Sequence, residues 1–188
     1  KRVREGHVAT HRLAAFQLAE VLDKQENVSF SEEFKKLAYD LRHPEEFTPG
    51  ALNIEAELRD YQEVGIKWLS MLDHYGFGGI LADDMGLGKT LQAISFLSTK
   101  LTGNKNVLIL APSSLVYNWQ EEFAKFTPYL DVAVVYGSKS TRDSLIAEQH
   151  QVMITSYTAF RQDVEEYERL SFDYLILDEA QVMKNYQT

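Results

Sequence analysis

Cysteine is missing altogether from the 188 residues. Its absence excludes a disulfide framework, a thiolate zinc site and a cysteine nucleophile. Proline is scarce at 4 residues and glycine ordinary at 10, which excludes a collagen-like or low-complexity chain. No apolar stretch approaches the roughly 20 residues that a membrane-crossing helix needs, and Lys1-Arg2-Val3-Arg4 is followed by no signal-peptide core. The expectation is a cytoplasmic protein with no membrane partner. Positive charge is also short: 19 basic residues against 28 acidic ones leave a formal net charge of −9. That is the wrong sign for a self-sufficient nucleic-acid binder, so any such contact must be local or shared with another part of a larger protein. Residues 1–50 carry 8 basic and 9 acidic residues, and residues 51–188 carry 11 and 19, so the acidity sits in the second part.

What remains is ordinary globular material, with 45% hydrophobic, 12% aromatic and 25% charged residues. The chain is long enough to bury a sizeable core. It opens on Lys1 rather than Met and stops at Thr188 directly after a motif-rich stretch, which reads as a piece of a longer chain. Helical spacing of Leu13, Phe16, Leu18, Val21 and Leu22 predicts a helix over 11–22. A second is expected from Ser29 or Ser31, where Ser29 with Glu32 has capping-box spacing, to the stop at His43-Pro44. Pro44 to Gly50 is the best linker in the sequence, so residues 1–50 are expected to form an accessory helical segment and residues 51–188 the main domain.

Beyond the linker, a helix from about Leu58 to His74 precedes short apolar runs at 79–82, 107–110, 132–135, 152–154 and 174–177, separated by helix-like segments. Continuous apolar strands alternating with helices signal a parallel sheet covered on both faces, an α/β doubly wound fold. Trp68 and Trp119 lie among helical apolar neighbours and read as core anchors. The run Asp163, Glu165, Glu166 and Glu168 reads as a solvated helix face, and the five histidines are scattered and carry no assignment.

Two motifs carry chemistry. Asp83-Asp84-Met85-Gly86-Leu87-Gly88-Lys89-Thr90 follows an expected strand and opens an expected helix, the context of a phosphate-binding loop. Gly86 and Gly88 let backbone N–H groups face an anion, Lys89 supplies a point charge for the β- and γ-phosphates, and the Thr90 hydroxyl suits Mg²⁺. Asp83 stands where the common pattern has its first glycine. Asp178-Glu179 ends the apolar run Tyr174-Leu175-Ile176-Leu177, at the strand edge where α/β sheets collect ligands. One carboxylate there suits Mg²⁺, and the next suits orienting an attacking water. Upstream, the Gln62 amide has the geometry to pair with an adenine edge.

Leu58-Arg59-Asp60-Tyr61-Gln62 with Gly65 and Trp68, the stretch Leu81 to Gln92, Ala111-Pro112-Ser113-Ser114-Leu115 with Asn118-Trp119, Thr155-Ser156-Tyr157, and Asp178-Glu179-Ala180-Gln181 with Lys184-Asn185 together resemble the Swi/Snf-like (Snf-two) family of superfamily-two DNA translocases. The resemblance covers roughly residues 55–188 and accommodates Asp83. It implies a RecA-like lobe, the first of two, that binds ATP with Mg²⁺ and works on double-stranded DNA or on a DNA-bound protein target, with the second lobe outside this chain. It further implies an ATP-binding set of Arg59, Gln62, Asp84, Met85, Gly86, Leu87, Gly88, Lys89 and Thr90. Lys89, Asp178 and Glu179 are the implied catalytic residues, Thr90 and Asp178 the metal residues, and Ser113, Ser114, Thr155, Tyr157 and Lys184 the nucleic-acid track. Gln181 departs from the histidine of the commonest helicase box. The alternatives are an RNA- or single-strand-directed helicase of the same superfamily, and a non-hydrolysing module whose partner reads bound nucleotide. The second-lobe arginines are not in this chain, so the isolated chain is expected to bind ATP or ADP but hydrolyse ATP weakly. No basic cluster of the nuclear-localisation kind is visible, which points to a microbial, nucleoid-associated protein.

Overall fold

The computed structural model describes residues 2–4, 7–9, 31–76 and 88–179. The expected helix over 11–22, the strand at 79–82, loop residues Asp84, Met85, Gly86 and Leu87, and Gln181, Lys184 and Asn185 lie outside the described residues.

Contacts divide the chain into two units, residues 1–49 with 63–81, and residues 50–62 with 82–188. In the first unit, β1 (Arg2–Arg4) pairs antiparallel with β2 (His7–Ala9). This pair was not expected, because alternation over three residues is too short to register as a strand pattern. Helix α1 (Glu32–Arg42) follows, close to its expected span, with two glutamates in its first turn and Arg42 in its last, both favourable to the helix dipole. Pro44 ends it and opens a single 3₁₀ turn, Pro44–Glu46. Within this unit Lys67 donates to the Glu45 carbonyl at 2.9 Å, Tyr75 donates its hydroxyl to Asp40, and Phe47 meets the His74 ring at 5.6 Å. Those contacts explain why residues after 63 are grouped with residues before 50.

Helix α2 spans Asp60–His74, two residues later than the expected start. Its first turn, Asp60 to Gln62, belongs to the second unit. There the order continues with α3 (Lys89–Lys100), β3 (Val107–Ala111), a 3₁₀ turn (Ser113–Leu115), α4 (Val116–Phe126), β4 (Val132–Val134), α5 (Lys139–Glu148), β5 (Val152–Ser156), α6 (Tyr157–Gln162), α7 (Val164–Tyr167) and β6 (Tyr174–Leu177). The four strands form one parallel sheet in the order β4-β5-β3-β6. Four of the five expected apolar runs are thus strands.

Every residue of β3 and of β5 is buried, so both faces of the sheet centre are covered. Continuous apolar strands are what such burial requires. On one face Leu108, Leu110 and Met153 pack with Val135, Ile146, Tyr157 and Tyr167. Helix α4 packs on β4 and β5 and carries Val116, Trp119, Phe123 and Phe126 inward, and α3 packs on α4. Burial of a side chain such as Phe123 contributes roughly 2 to 3 kcal/mol. Phe96 of α3 also meets Tyr174 of β6 edge-on at 5.9 Å, which ties the helix that starts at Lys89 to the strand that ends before Asp178.

One expectation fails inside the acidic run. Asp163 is fully buried rather than solvated, because Arg142 of α5 reaches it with Nε at 2.6 Å and a second nitrogen at 3.1 Å. Burial pushes its carboxyl up, but hydrogen bonds from Arg142 and Lys139 outweigh that and hold it below the usual carboxylate range. Glu165 and Glu168 do face solvent, as expected.

Candidate functional site

Gly88 stands immediately before α3 with φ 77° and ψ 37°, in the left-handed region. Among the described residues no side chain caps the helix, and its first turn holds no acidic residue. The N–H groups at the start of a helix have no intrahelical acceptor, so Lys89 and Thr90 open a helix whose donors are available to an anion. Beside Gly88 lies Gln62, whose amide nitrogen is too close to leave room for a Cβ on Gly88. Two motifs separated by 26 positions in the chain are thereby brought together.

Gln62 is held there by the start of its own helix. Its Oε1 accepts from the Arg59 N–H at 2.9 Å, while its own N–H donates to the Arg59 carbonyl at 2.8 Å. This is a reciprocal cap between the residue before α2 and its third residue, and it leaves Gln62 buried with its Nε2 toward Gly88. Arg59 contributes backbone to this arrangement, and its side chain is exposed.

The second half of the site follows β6. Asp178 donates its N–H to the Leu110 carbonyl at 2.8 Å, extending the β3-β6 ladder by one residue. Glu179 then turns the chain with φ 52°, a conformation uncommon for a residue with a side chain. Two further groups hold Asp178. The Trp119 indole Nε1 donates to its Oδ2 at 2.9 Å, and the Tyr157 hydroxyl donates to its carbonyl at 2.7 Å. Burial first, and then the negative charges of Asp178 and Glu179, push the Tyr157 phenol up to about 12, so it stays a neutral donor.

Trp119 is therefore both the core anchor expected and a donor to the site, a role that the sequence reading missed. The signal was present in principle, since a buried indole N–H needs an acceptor and Asp-Glu at a strand end offers one. The nucleic-acid expectations divide. Ser113 and Ser114 are exposed just beyond the C-terminal end of β3. Thr155 is not exposed at all, and its hydroxyl donates to the Val135 carbonyl at 2.8 Å inside the sheet. Tyr157 is buried too, with its hydroxyl on Asp178. Both hydroxyls are engaged within the fold. Near the exposed serines, Tyr117 and Tyr136 meet edge-to-face at 6.1 Å, each partly in solvent.

Among the described residues, only His43, Glu45 and Glu46 bring three metal-ligating atoms close together, on the surface of the first unit. Hydrogen bonds from Tyr39 to Glu46 and between His43 and Glu45 account for that grouping without an ion.

The family model of the SNF2-related domain matches residues 61–188. This chain belongs to the SNF2-related domain family. Helicase ssl-1 of Caenorhabditis elegans is 36% identical over 181 residues, covering 88% of this chain and 7% of that protein. The ISWI chromatin-remodeling complex ATPase ISW2 of Saccharomyces cerevisiae is 42% identical over 141 residues, covering 70% of this chain and 12% of its own length. The SWI2/SNF2 ATPase core of Sulfolobus solfataricus, solved in complex with dsDNA, superposes with a TM-score of 0.66 at 38% identity, over 76% of this chain and 30% of that one. This SNF2-related chain thus spans a small part of the relatives it matches, and its sheet with flanking helices is the RecA-like fold of that ATPase core.

Proposed function

We propose that this chain is the ATP-binding lobe of an ATP-dependent translocase or remodeller that moves on duplex DNA, with residues 51–188 as the first RecA-like lobe and residues 1–50 as an accessory segment. The observation that carries the reading is Gln62 seated on Gly88 at the open start of the helix that begins Lys89-Thr90. An amide suited to an adenine edge beside donors suited to phosphates describes a site for an adenine nucleotide. The relatives support the rest of the reading, since one is named a helicase, one a remodelling ATPase, and the solved neighbour is an ATPase core in complex with dsDNA.

In this reading Lys89 holds the β- and γ-phosphates, Thr90 and Asp178 hold Mg²⁺, and Glu179 orients and deprotonates the attacking water. The residues present fit the cation: a hydroxyl at the helix start and a carboxylate with one oxygen not used by Trp119 form a hard oxygen donor set. Bound Mg²⁺ supplies charge neutralisation on the phosphate oxygens. Asp84, Met85, Gly86 and Leu87 belong to the ATP-binding set in this reading. Ser113 and Ser114, with Lys184, contact DNA phosphates, which positions the lobe without reading sequence. The net charge of −9 opposes that contact, so affinity for DNA depends on local donors and on a second lobe, and falls steeply with salt. Among the described residues no helix is long and apolar enough to cross a membrane. The protein works on nucleoid or cytoplasmic DNA in this reading.

Two variants of the full-length protein test it. Lys89→Ala is expected to abolish Mg-ATP and ADP binding by calorimetry. Glu179→Gln is expected to keep binding and lose DNA-stimulated hydrolysis by at least about 100-fold. Undiminished hydrolysis by Glu179→Gln would remove the enzymatic reading and leave a nucleotide-dependent interaction module. Stimulation by single strands but not by duplex would move the assignment to a strand-directed helicase.

A further inference from the structure

Nucleotide binding by itself does not call for the two side chains that grip Asp178 from α4 and α6. Trp119 is almost fully buried in α4 among Val116 and Phe123, with its ring tilted against the Phe123 ring at 6.1 Å. A large ring packed in this way cannot follow a moving carboxylate, so the carboxylate takes its orientation from the ring. An indole N–H only donates, and Asp178 Oδ2 is its acceptor at 2.9 Å. Tyr157, the first residue of α6, fixes the backbone of the same residue through its hydroxyl at 2.7 Å from the Asp178 carbonyl. Ser156 accepts from the Ala159 N–H and so sets the start of α6, and with it the place of Tyr157.

We propose that Trp119 is a positioning residue for Asp178: its indole N–H holds one carboxylate oxygen so that the other is presented to a divalent cation, while Tyr157 locks the peptide of the same residue. The proposal rests on the reading of Asp178 as a cation ligand given above. A carboxylate anchored through one oxygen has given up rotamer freedom before the ion arrives, and outer partners of this kind typically change metal affinity 10- to 100-fold. The order of elements fits the role. Trp119 lies four residues beyond the turn that follows β3, and Asp178 lies just beyond β6, the neighbour of β3 in the sheet.

The test uses the full-length protein and a non-hydrolysable ATP analogue, with affinity measured by calorimetry in Mg²⁺ and again in EDTA. Wild type, Trp119→Phe, Asp178→Asn and the double variant are compared. Trp119→Phe is expected to lower the thermal midpoint, because the smaller ring leaves a void in the core, while keeping the metal-free affinity and losing at least about 10-fold of the gain that Mg²⁺ confers. In the Asp178→Asn background it is expected to cost nothing more, because it acts through that carboxylate. A ring that served packing alone would lower metal-free affinity as well and would add its loss to that of Asp178→Asn, which overturns the proposal. So does an undiminished Mg²⁺ gain in Trp119→Phe when Asp178→Asn has lost it, and in that case the cation reading of Asp178 stands. If wild type and Asp178→Asn show the same Mg²⁺ dependence, the cation reading fails and takes the positioning role with it. Should Trp119→Phe fail to fold, Tyr157→Phe in the same cycle decides: a smaller loss that vanishes in the Asp178→Asn background supports the proposal, and an unchanged Mg²⁺ gain overturns it.

Discussion

Two separate demands fall on Gly88. Its φ of 77° is reached by glycine without steric cost, whereas a residue with a Cβ loses about 1 to 2 kcal/mol there. The space beside it is also restricted, because a Cβ would clash with the Gln62 amide nitrogen. Gly88→Ala is therefore expected to strain the entry to α3 and push the Gln62 amide aside at once. Glycine spacing in the sequence accounts for the first demand and gives no sign of the second, which arises only when Gln62 is placed beside Gly88. The expected outcome is loss of ADP affinity by at least about 10-fold, with a thermal midpoint lowered by several degrees in scanning calorimetry. Gln62→Ala clears the space but gives up the hydrogen bond that its Oε1 accepts from the Arg59 N–H, so in the Gly88→Ala background it should cost less stability than it does alone and return none of the affinity. Recovery of affinity in that double variant would show that Gln62 has no part in binding.

At the scale of elements, the tightest polar joint lies between α5 and the α6-α7 junction. Arg142 reaches Asp163 with two nitrogens, the Gly137 carbonyl at 2.6 Å and the Gln162 side chain at 3.0 Å, while Lys139 bridges Asp163 at 3.1 Å and Glu166 at 2.7 Å. Removing Arg142 leaves the buried Asp163 carboxylate with the half-exposed Lys139 as its remaining cation and loses two hydrogen bonds to it, so Arg142→Met is expected to destabilise the protein by about 3 kcal/mol. Urea unfolding checks this, with a lowered midpoint and an unchanged slope. The joint also shows what a linear reading captures. The strands at 107–111 and 152–156 are legible because burial on both faces requires uninterrupted apolar runs, and that requirement is local; those at 132–134 and 174–177 carry the same apolar runs although they are only partly buried. The burial of Asp163 was not legible, because its cause lies 21 positions away on another helix. The partners of Thr155 and Tyr157 are not legible for a similar reason: their hydroxyls donate to the Val135 and Asp178 carbonyls, about 20 positions away in the chain.

For the molecule as a whole, the candidate-site motifs are legible because the residues proposed to hold phosphate and cation are neighbours in sequence, as at Gly88-Lys89-Thr90 and Asp178-Glu179. Global electrostatics depends on which of 28 carboxylates find partners, and the sequence lists them without pairing them. His150, one of five histidines with no assignment in the sequence, shows the consequence. Its Nδ1 lies 2.9 and 3.0 Å from the two Asp131 oxygens and its Nε2 lies 2.7 Å from Glu148. Only the imidazolium donates from both nitrogens, so the arrangement selects the charged form. The Asp131 hydrogen bond is the main cause that raises the His150 pKa; burial opposes it, and the Glu148 hydrogen bond and both charges add to it. A group whose folded pKa is raised contributes stability that is complete below its unfolded value, near 6.5, and is lost as pH climbs through the higher folded value. Both carboxylates are largely exposed, so solvent screening limits the contribution to about 1 kcal/mol or less. Thermal midpoints measured from pH 6 to pH 8.5 at low salt should fall with rising pH in the wild type. In His150→Gln they should be lower at pH 6 and stay nearly level across the range, with the two proteins converging at the alkaline end. Parallel curves would mean that the imidazolium does not stabilise the fold and that the slope belongs to other groups.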